Sequence, residues 1–440
     1  MASSRTAIRK ILARLSFITA FVYWIRRRRN ELPTVFRHLS RRRRQRKLRK
    51  RSADGTIKVV FICQFIPAWS KNKQLYETLK QDDRFETMLL CIPNRISAHQ
   101  LIDQNDLSND VYEYYISHGY TDAVNALIGK NDWLDLSAYH PDYVIFNRND
   151  RSMPEQYTYD SIASFAKICI IDYATALLKM EESLFNRSCI ANTYCFFAEF
   201  NKKKEQFISW NRILCKLKLS KAIWCGIPAI ENSLKARNEE APAWLFSKHA
   251  FRMIYAPRWT TNPIWGGTSF FQYKDVFLDF LDNHPETDLL IRPHPLMFGN
   301  FIENNLMRAD EVAAFEALCK SRPNLELDAE KEYLSTFWQS SVLITDFSSI
   351  LIEYFVTEKP VIYLTFDETI DYSDIMRAML RGCYIVHDRD ELVKVIDMLI
   401  QGNDPLAEER KRICAEYLLG HENTSTSEIM KQLLIQDRMR

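Results

Sequence analysis

Two short segments of this 440-residue chain carry side chains suited to phosphate chemistry. The first is Arg292-Pro293-His294-Pro295. It follows the apolar run Asp288 to Ile291, which reads as a buried strand. Each functional residue is followed by a proline that fixes φ, so Arg292 and His294 leave the strand end on a stiff frame. The guanidinium is permanently cationic, whereas an imidazole can give a proton or a hydrogen bond near neutrality. The second segment is Thr345-Asp346-Phe347-Ser348-Ser349. A short apolar strand, Val342 to Thr345, leads into it, and an apolar helical pattern (Ile350, Leu351, Tyr354, Phe355) leads out. Asp346 and two serines therefore stand at a helix N-terminus. The first N–H groups there have no intrahelical partner, and the macrodipole adds partial positive charge. A phosphate is stabilised at such a place. The alternative is that Asp346 or Ser348 only caps the helix.

Ligands of open α/β sheets bind outside the carboxyl ends of the strands. Arg292, His294, Ser348 and Ser349 are thus expected in one crevice. Other chemistries lack their signatures. The sequence has no GxxxxGK[ST], no HExxH and no convincing metal cluster, and Asp371-Tyr372-Ser373-Asp374 does not match a metal-binding DxD. Neither metal nor cofactor is expected. Ten cysteines are scattered without a CxxC pair, which fits reduced thiols rather than a disulfide or zinc framework.

Positioning these residues requires alternating strands and helices. Strands are expected at Thr56 to Gln64, Phe85 to Ile92, Tyr143 to Phe146, Ile168 to Ile171 and Lys221 to Ile227. A helix is expected around Lys71 to Lys80, and helical segments over 97–130. Cys189 to Phe200 reads as a strand pair or a loop, and Pro228 to Phe251 as a connection. A second series of strands falls near 252–256, 288–291, 324–327, 342–345, 361–364 and 383–386. Amphipathic helices follow at Glu391 to Ile400 and Leu406 to Leu419. This alternation predicts an α/β protein with two Rossmann-like domains facing a cleft, the GT-B architecture. The expected boundaries are a leader over 1–51, a first Rossmann-like domain over 56–235, a second over 245–405, and C-terminal helices over 406–440.

Charge separates the leader from the rest. Residues 1–51 hold 18 Lys plus Arg and one acid, a balance of +17; the remainder has 59 − 18 = 41 bases against 56 − 1 = 55 acids, or −14. Ile11 to Ile25 is apolar, broken by Arg14, and shorter than the ~20 residues that span a bilayer. Its aromatics and the flanking arginines predict an amphipathic helix lying on an anionic membrane surface, with Arg26 to Arg29 and Arg41 to Arg51 on head groups. A nucleic-acid arm and a disordered tail are the competing readings. No aromatics interleave the second basic run, which argues against nucleic acid.

IRPHP, followed by LITDFSSILIEYFVTEKPVIYL, resembles the CDP-glycerol:poly(glycerophosphate) glycerophosphotransferase family of teichoic-acid and capsule polymerases. The segment Tyr255 to Thr260 is similar to that family's YAPTW strand end. Lys58 to Pro93 is similar to its opening strand and helix. The resemblance covers roughly 57 to 400 and is most specific at RPHP and TDFSS. It implies a GT-B transferase that moves an alditol phosphate from a CDP-activated donor to a hydroxyl of a membrane-linked or surface-polysaccharide acceptor, releasing CMP. It implies that Arg292, Arg258, Thr345, Asp346, Ser348 and Ser349 bind the donor nucleotide and phosphates, with His294 catalytic. It also implies a cytoplasmic protein, peripheral on the inner face of the cell membrane.

The catalytic base departs from the family pattern. Family members often carry a WHG segment whose His is taken as the base. Here Ile170 to Thr175 has Tyr173 at that position. A phenol with an ordinary pKa near ~10 is a poor base at neutral pH. Asp172 is the other candidate, and His118-Gly119 is a loop candidate without a matching family segment. Two alternatives therefore stand beside the phosphotransferase: a GT-B glycosyltransferase using a nucleotide sugar, and a non-catalytic nucleotide-binding scaffold.

Overall fold

The computed structural model describes residues 34–43, 55–93, 107–130, 132–147, 153–172, 187–262, 267–328, 330, 333–365, 370–419 and 426–439. The apolar leader segment Ile11 to Ile25 and Tyr173 lie outside the described residues. The chain forms two compact units: 1–64, 82–171 and 182–224 make the first, and 65–81, 172–181 and 225–440 make the second. The second unit thus includes an early excursion of the chain as well as its C-terminal half.

The first unit is built on β1 (Ile57–Cys63), β2 (Phe85–Cys91), β3 (Ala123–Asn125), β4 (Tyr143–Phe146), β5 (Lys167–Ile171), β6 (Thr193–Ala198) and β7 (Lys221–Trp224). Every pairing is parallel, in the order β3-β2-β1-β4-β5-β6-β7. β4 is buried throughout, as a strand covered on both faces must be. Two expectations change here. The stretch 107–130 holds one helix, Asp110–Ser117, and then turns to β3 and a small hairpin of Leu127–Gly129 with Asp132–Trp133. Cys189 to Phe200 is the end of a helix followed by β6, neither a strand pair nor a loop.

Part of the basic leader packs on this unit. Residues 34–43 are helical. Val35 is buried against Leu214 and Leu219. The His38 ring nitrogen Nε2 meets the Ala191 carbonyl at 2.6 Å, Arg41 donates to Asn192 Oδ1 at 2.6 Å, and Arg37 pairs with Asp160 at 2.6 Å. Arg41 is thereby buried within the protein, not available to head groups as the sequence suggested. Among the described residues no helix is long and apolar enough to cross a membrane.

The second unit is built on β8 (Phe251–Ala256), β9 (Thr287–Ile291), β10 (Leu325–Leu327), β11 (Val342–Thr345), β12 (Val361–Leu364) and β13 (Tyr384–Val386). This sheet is also wholly parallel, ordered β10-β9-β8-β11-β12-β13. Helices close both faces. The helix α1 (Phe270–Asn283) buries Phe270, Tyr273, Val276, Phe277, Phe280 and Leu281, one stripe at three- and four-residue spacing. It shares a core with α2 (Arg389–Ile400), whose Leu392, Ile396 and Leu399 face inward and whose N-cap Asp388 accepts the Glu391 N–H. Fully burying each such side chain contributes about 1.5–3 kcal/mol.

The connection expected over 228–251 contains a helix, Pro228–Lys235, which packs with Trp69–Lys80 from the early excursion. The C-terminal helix Thr426–Met439 joins them through Ser427, whose hydroxyl bonds Glu231 and Thr78. All ten cysteines are free.

Candidate functional site

Strand order locates the site in the second unit. The chain leaves β8 toward β9 on one side and later returns to β11 on the other, so the order reverses at β8. Such a switch point opens a crevice at the carboxyl ends of the strands. The three segments that end there are Pro257-Arg258-Trp259 after β8, Pro293-His294 after β9, and Asp346 to Ser349 after β11.

Asp346 is the hub. It is fully buried, and its Oδ2 accepts from the backbone N–H of Arg258 (3.1 Å), the backbone N–H of Ser269 (2.8 Å) and the Ser269 hydroxyl (2.8 Å). Ser269 Oγ also meets Tyr255 OH at 2.9 Å. The other carboxylate oxygen, Oδ1, is buried without a hydrogen-bond partner. Burial raises the Asp346 pKa to about 6, and the donated hydrogen bonds and Arg258 oppose the rise. Asp346 therefore does not cap the following helix; it ties the turn after β11 to the segment after β8. Thr345 is spent locally as well, its hydroxyl donating to the Ala256 carbonyl at 2.8 Å.

Arg258 locks the same turn from the side chain. Nη1 donates to the Phe347 carbonyl at 2.8 Å, and the guanidinium lies 4.7 Å from the Phe347 ring centroid. Burial pulls its pKa below the ordinary guanidinium value, against the raising effect of Asp346.

Ser348 is half-buried and Ser349 exposed at the start of the six-residue helix Ile350–Phe355. Ser349 occupies the N-cap position, with no side-chain cap hydrogen bond. The helix is short, so its dipole is small. What the turn offers is its own N–H groups and two hydroxyls that make no hydrogen bond among the described residues.

His294 follows β9, near enough to Arg258 to feel its charge. Its Nδ1 accepts the Leu296 N–H at 3.2 Å, so the neutral ring carries its proton on Nε2. Burial, and then the charge of Arg258, lower its pKa to about 4. The Trp259 ring lies 6.2 Å from it. His294 at neutral pH is a neutral hydrogen-bond donor, held near a cation and suited to an anionic oxygen.

Arg292 is placed otherwise. Nη1 pairs with Asp328 Oδ2 at 2.5 Å and bonds the Glu330 carbonyl at 3.0 Å, and the guanidinium stacks 4.2 Å from the Tyr333 ring centroid. Its charge is already neutralised inside the fold. Asp172 is half-buried directly after β5. Among the described residues no group of three or more His, Cys, Asp and Glu side chains is placed to hold a metal.

Sequence reasoning passed over Ser269 and Tyr255. The available signal was Thr268-Ser269 ahead of an apolar helix, which reads as an N-cap. In the structure Ser269 makes no side-chain cap hydrogen bond and instead donates its hydroxyl to Asp346.

A comparison with curated proteins finds no match. Among solved structures, the wall teichoic acid polymerase TagF soaked with CDPG is 15% identical with a TM-score of 0.54, covering 93% of this chain and 97% of that one. The UDP-GlcNAc 2-epimerase of Neisseria meningitidis bound to UDP-GlcNAc is 16% identical with a TM-score of 0.55, covering 86% and 100%. The S. aureus MnaA–UDP structure is 13% identical with a TM-score of 0.54, covering 87% and 97%. These likenesses give the fold, which is the GT-B type expected from the alternation of elements. Residues 222–434 match the family model CDP-Glycerol:Poly(glycerophosphate) glycerophosphotransferase, and over that stretch the chain is similar to this family.

Proposed function

We propose that the protein transfers glycerol phosphate, or a closely related alditol phosphate, from a CDP-activated donor to an acceptor hydroxyl and releases CMP. The observation that supports this reading is Arg258, which bonds the turn just ahead of Ser348 and whose charge acts on His294, at the switch point of the second sheet and inside the stretch that matches the family model. The turn's N–H groups and serine hydroxyls hold the donor diphosphate, and Arg258 supplies the permanent positive charge. The acceptor oxygen attacks the β-phosphorus. A new P–O bond forms, the bond to the bridging oxygen breaks, and that oxygen leaves with CMP. His294 Nε2–H donates a hydrogen bond to the oxygens of the departing phosphate, where charge grows in the transition state. The acceptor proton passes to a base, for which Asp172 and Tyr173 are the candidates. Arg292 acts indirectly, by bracing the end of β9 through Asp328.

The acceptor is a teichoic-acid-like or surface-polysaccharide chain, held at the inner face of the cell membrane by the basic leader. The charge of residues 1–51 supports that placement.

A second reading has its own support, because the fold is equally like the MnaA structure with UDP and the UDP-GlcNAc 2-epimerase structure bound to UDP-GlcNAc. A thermal-shift panel separates the two. CDP and CDP-glycerol should raise the melting temperature at concentrations where UDP and UDP-GlcNAc do not. Stabilisation by the uridine ligands alone would replace the phosphotransferase with a nucleotide-sugar enzyme.

A further inference from the structure

We propose that Lys71 and Glu353 are positioning residues for the donor-phosphate turn. The proposal rests on the reading above, in which the Ser348–Ser349 turn holds a diphosphate. Glu353 lies four residues after Ser349, one turn into the six-residue helix that the serines open. So short a helix has little stability of its own, and outside contacts must set where it sits.

Glu353 supplies the contact. Its side chain is 5% exposed and pairs with Lys71 at 2.9 Å, itself 4% exposed. Tyr333 OH donates to its other carboxylate oxygen at 2.5 Å. The face of Tyr333 carries the Arg292 guanidinium, which Asp328 holds in turn. One continuous chain of interactions therefore runs from Lys71 through Glu353 and Tyr333 to Arg292, two residues before His294. It touches both segments that form the site. Lys71 comes from Trp69–Lys80, the early excursion that joins the second unit.

An ion pair this deeply buried is a weak source of net stability, since desolvation consumes most of the attraction. An apolar pair of similar volume would pack as well. What two charges and a hydroxyl add is direction: they fix the rotation and height of the helix, and so the aim of the N–H groups and hydroxyls at its start. A misplacement of about 1 Å in such donors is worth up to ~100-fold.

The test uses the full chain and two variants. Lys71→Met/Glu353→Leu removes both charges while keeping a packed interior. Glu353→Gln keeps the shape and can still accept from Tyr333. The readouts are CDP affinity by calorimetry, the KM and kcat for CDP-glycerol, and the melting temperature. The double variant should melt near wild type yet bind CDP at least ~10-fold more weakly, with KM rising more than kcat falls. Glu353→Gln should shift in the same direction by less. If the double variant fails to fold, Glu353→Gln decides alone. Wild-type CDP affinity and KM in the folded variants would overturn the proposal and reduce the pair to structural support. If the wild-type protein binds CDP but does not turn over CDP-glycerol, the reaction assigned above fails, and CDP affinity alone judges the positioning role. Absence of CDP binding in the wild type would overturn both.

Discussion

Replacing His294 by alanine and by glutamine distinguishes a neutral hydrogen-bond donor from a proton-transferring acid. The structure makes the distinction specific. The Leu296 N–H occupies Nδ1, and burial beside Arg258 holds the imidazole pKa near about 4. In the free protein the ring is neutral through the physiological range, with its one proton on Nε2. A hydrogen bond to a charged phosphate contributes about 1.5–3 kcal/mol, so its removal in His294→Ala should lower kcat by roughly 10- to 100-fold. The amide nitrogen of glutamine reaches about as far as Nε2 and donates without titrating. His294→Gln should therefore recover most of the loss, to within ~10-fold of wild type. The profile of kcat/KM against pH reports ionisations of the free enzyme. Between about pH 5.5 and about 8 it should keep the same shape in His294→Gln as in wild type. The assay is CMP release from CDP-glycerol on folded variants. The reasoning is refuted if glutamine is as damaging as alanine, each losing ~10²–10⁴-fold, and an ionisation near neutrality disappears with the histidine.

The same two pKa shifts oppose one another in stability. His294, lowered to about 4, contributes stability that is present above ~6.5 and is lost as pH falls toward 4; Asp346, raised to about 6, contributes stability that is present below ~4 and is lost as pH rises through 6. Each term is on the order of 3 kcal/mol at most, so denaturant midpoints should rise with pH between about 4 and about 6 in Asp346→Asn and fall over that window in His294→Gln. Because Ser349 makes no cap bond, the Ser348→Ala/Ser349→Ala protein should melt within a degree or so of wild type, while its CDP affinity drops by roughly 1–3 kcal/mol in calorimetry. Removal of residues 1–51 should lower stability by roughly 2–4 kcal/mol, because the deletion exposes the site of Val35 and strips Asn192 and Asp160 of their arginines.

Much of the scaffold was legible because parallel strands covered on both faces must be short continuous apolar runs. Tyr143–Phe146, Val342–Thr345 and Val361–Leu364 are found at their expected bounds. Their alternation with helices was enough to predict two doubly wound sheets. The rule about strand ends put the His294 segment and the turn after Asp346 at strand ends, and the strand order sets their strands, β9 and β11, on either side of β8. The parts that were not legible depend on contacts across the sequence. Nothing near Arg292 announces that Asp328 will neutralise it. Asp346 looks like a cap by spacing, and only the fold reveals the N–H groups of Arg258 and Ser269 converging on it. Arg41 reads as one more base in a run until its partner Asn192, 151 residues away, is in view.

The central claim is that the switch point of the second sheet uses a CDP-linked donor for phosphoryl transfer. Its most direct test is quantitative detection of CMP when the purified full chain is mixed with CDP-glycerol, with and without a glycerol-phosphate-primed acceptor. The account predicts CMP in amounts matching the glycerol phosphate gained by the acceptor, and a large loss of that signal in His294→Ala and in the double serine variant. Acceptor-dependent CMP release at the wild-type rate in both variants, or none from the wild-type protein across CDP-linked alditols, would contradict it.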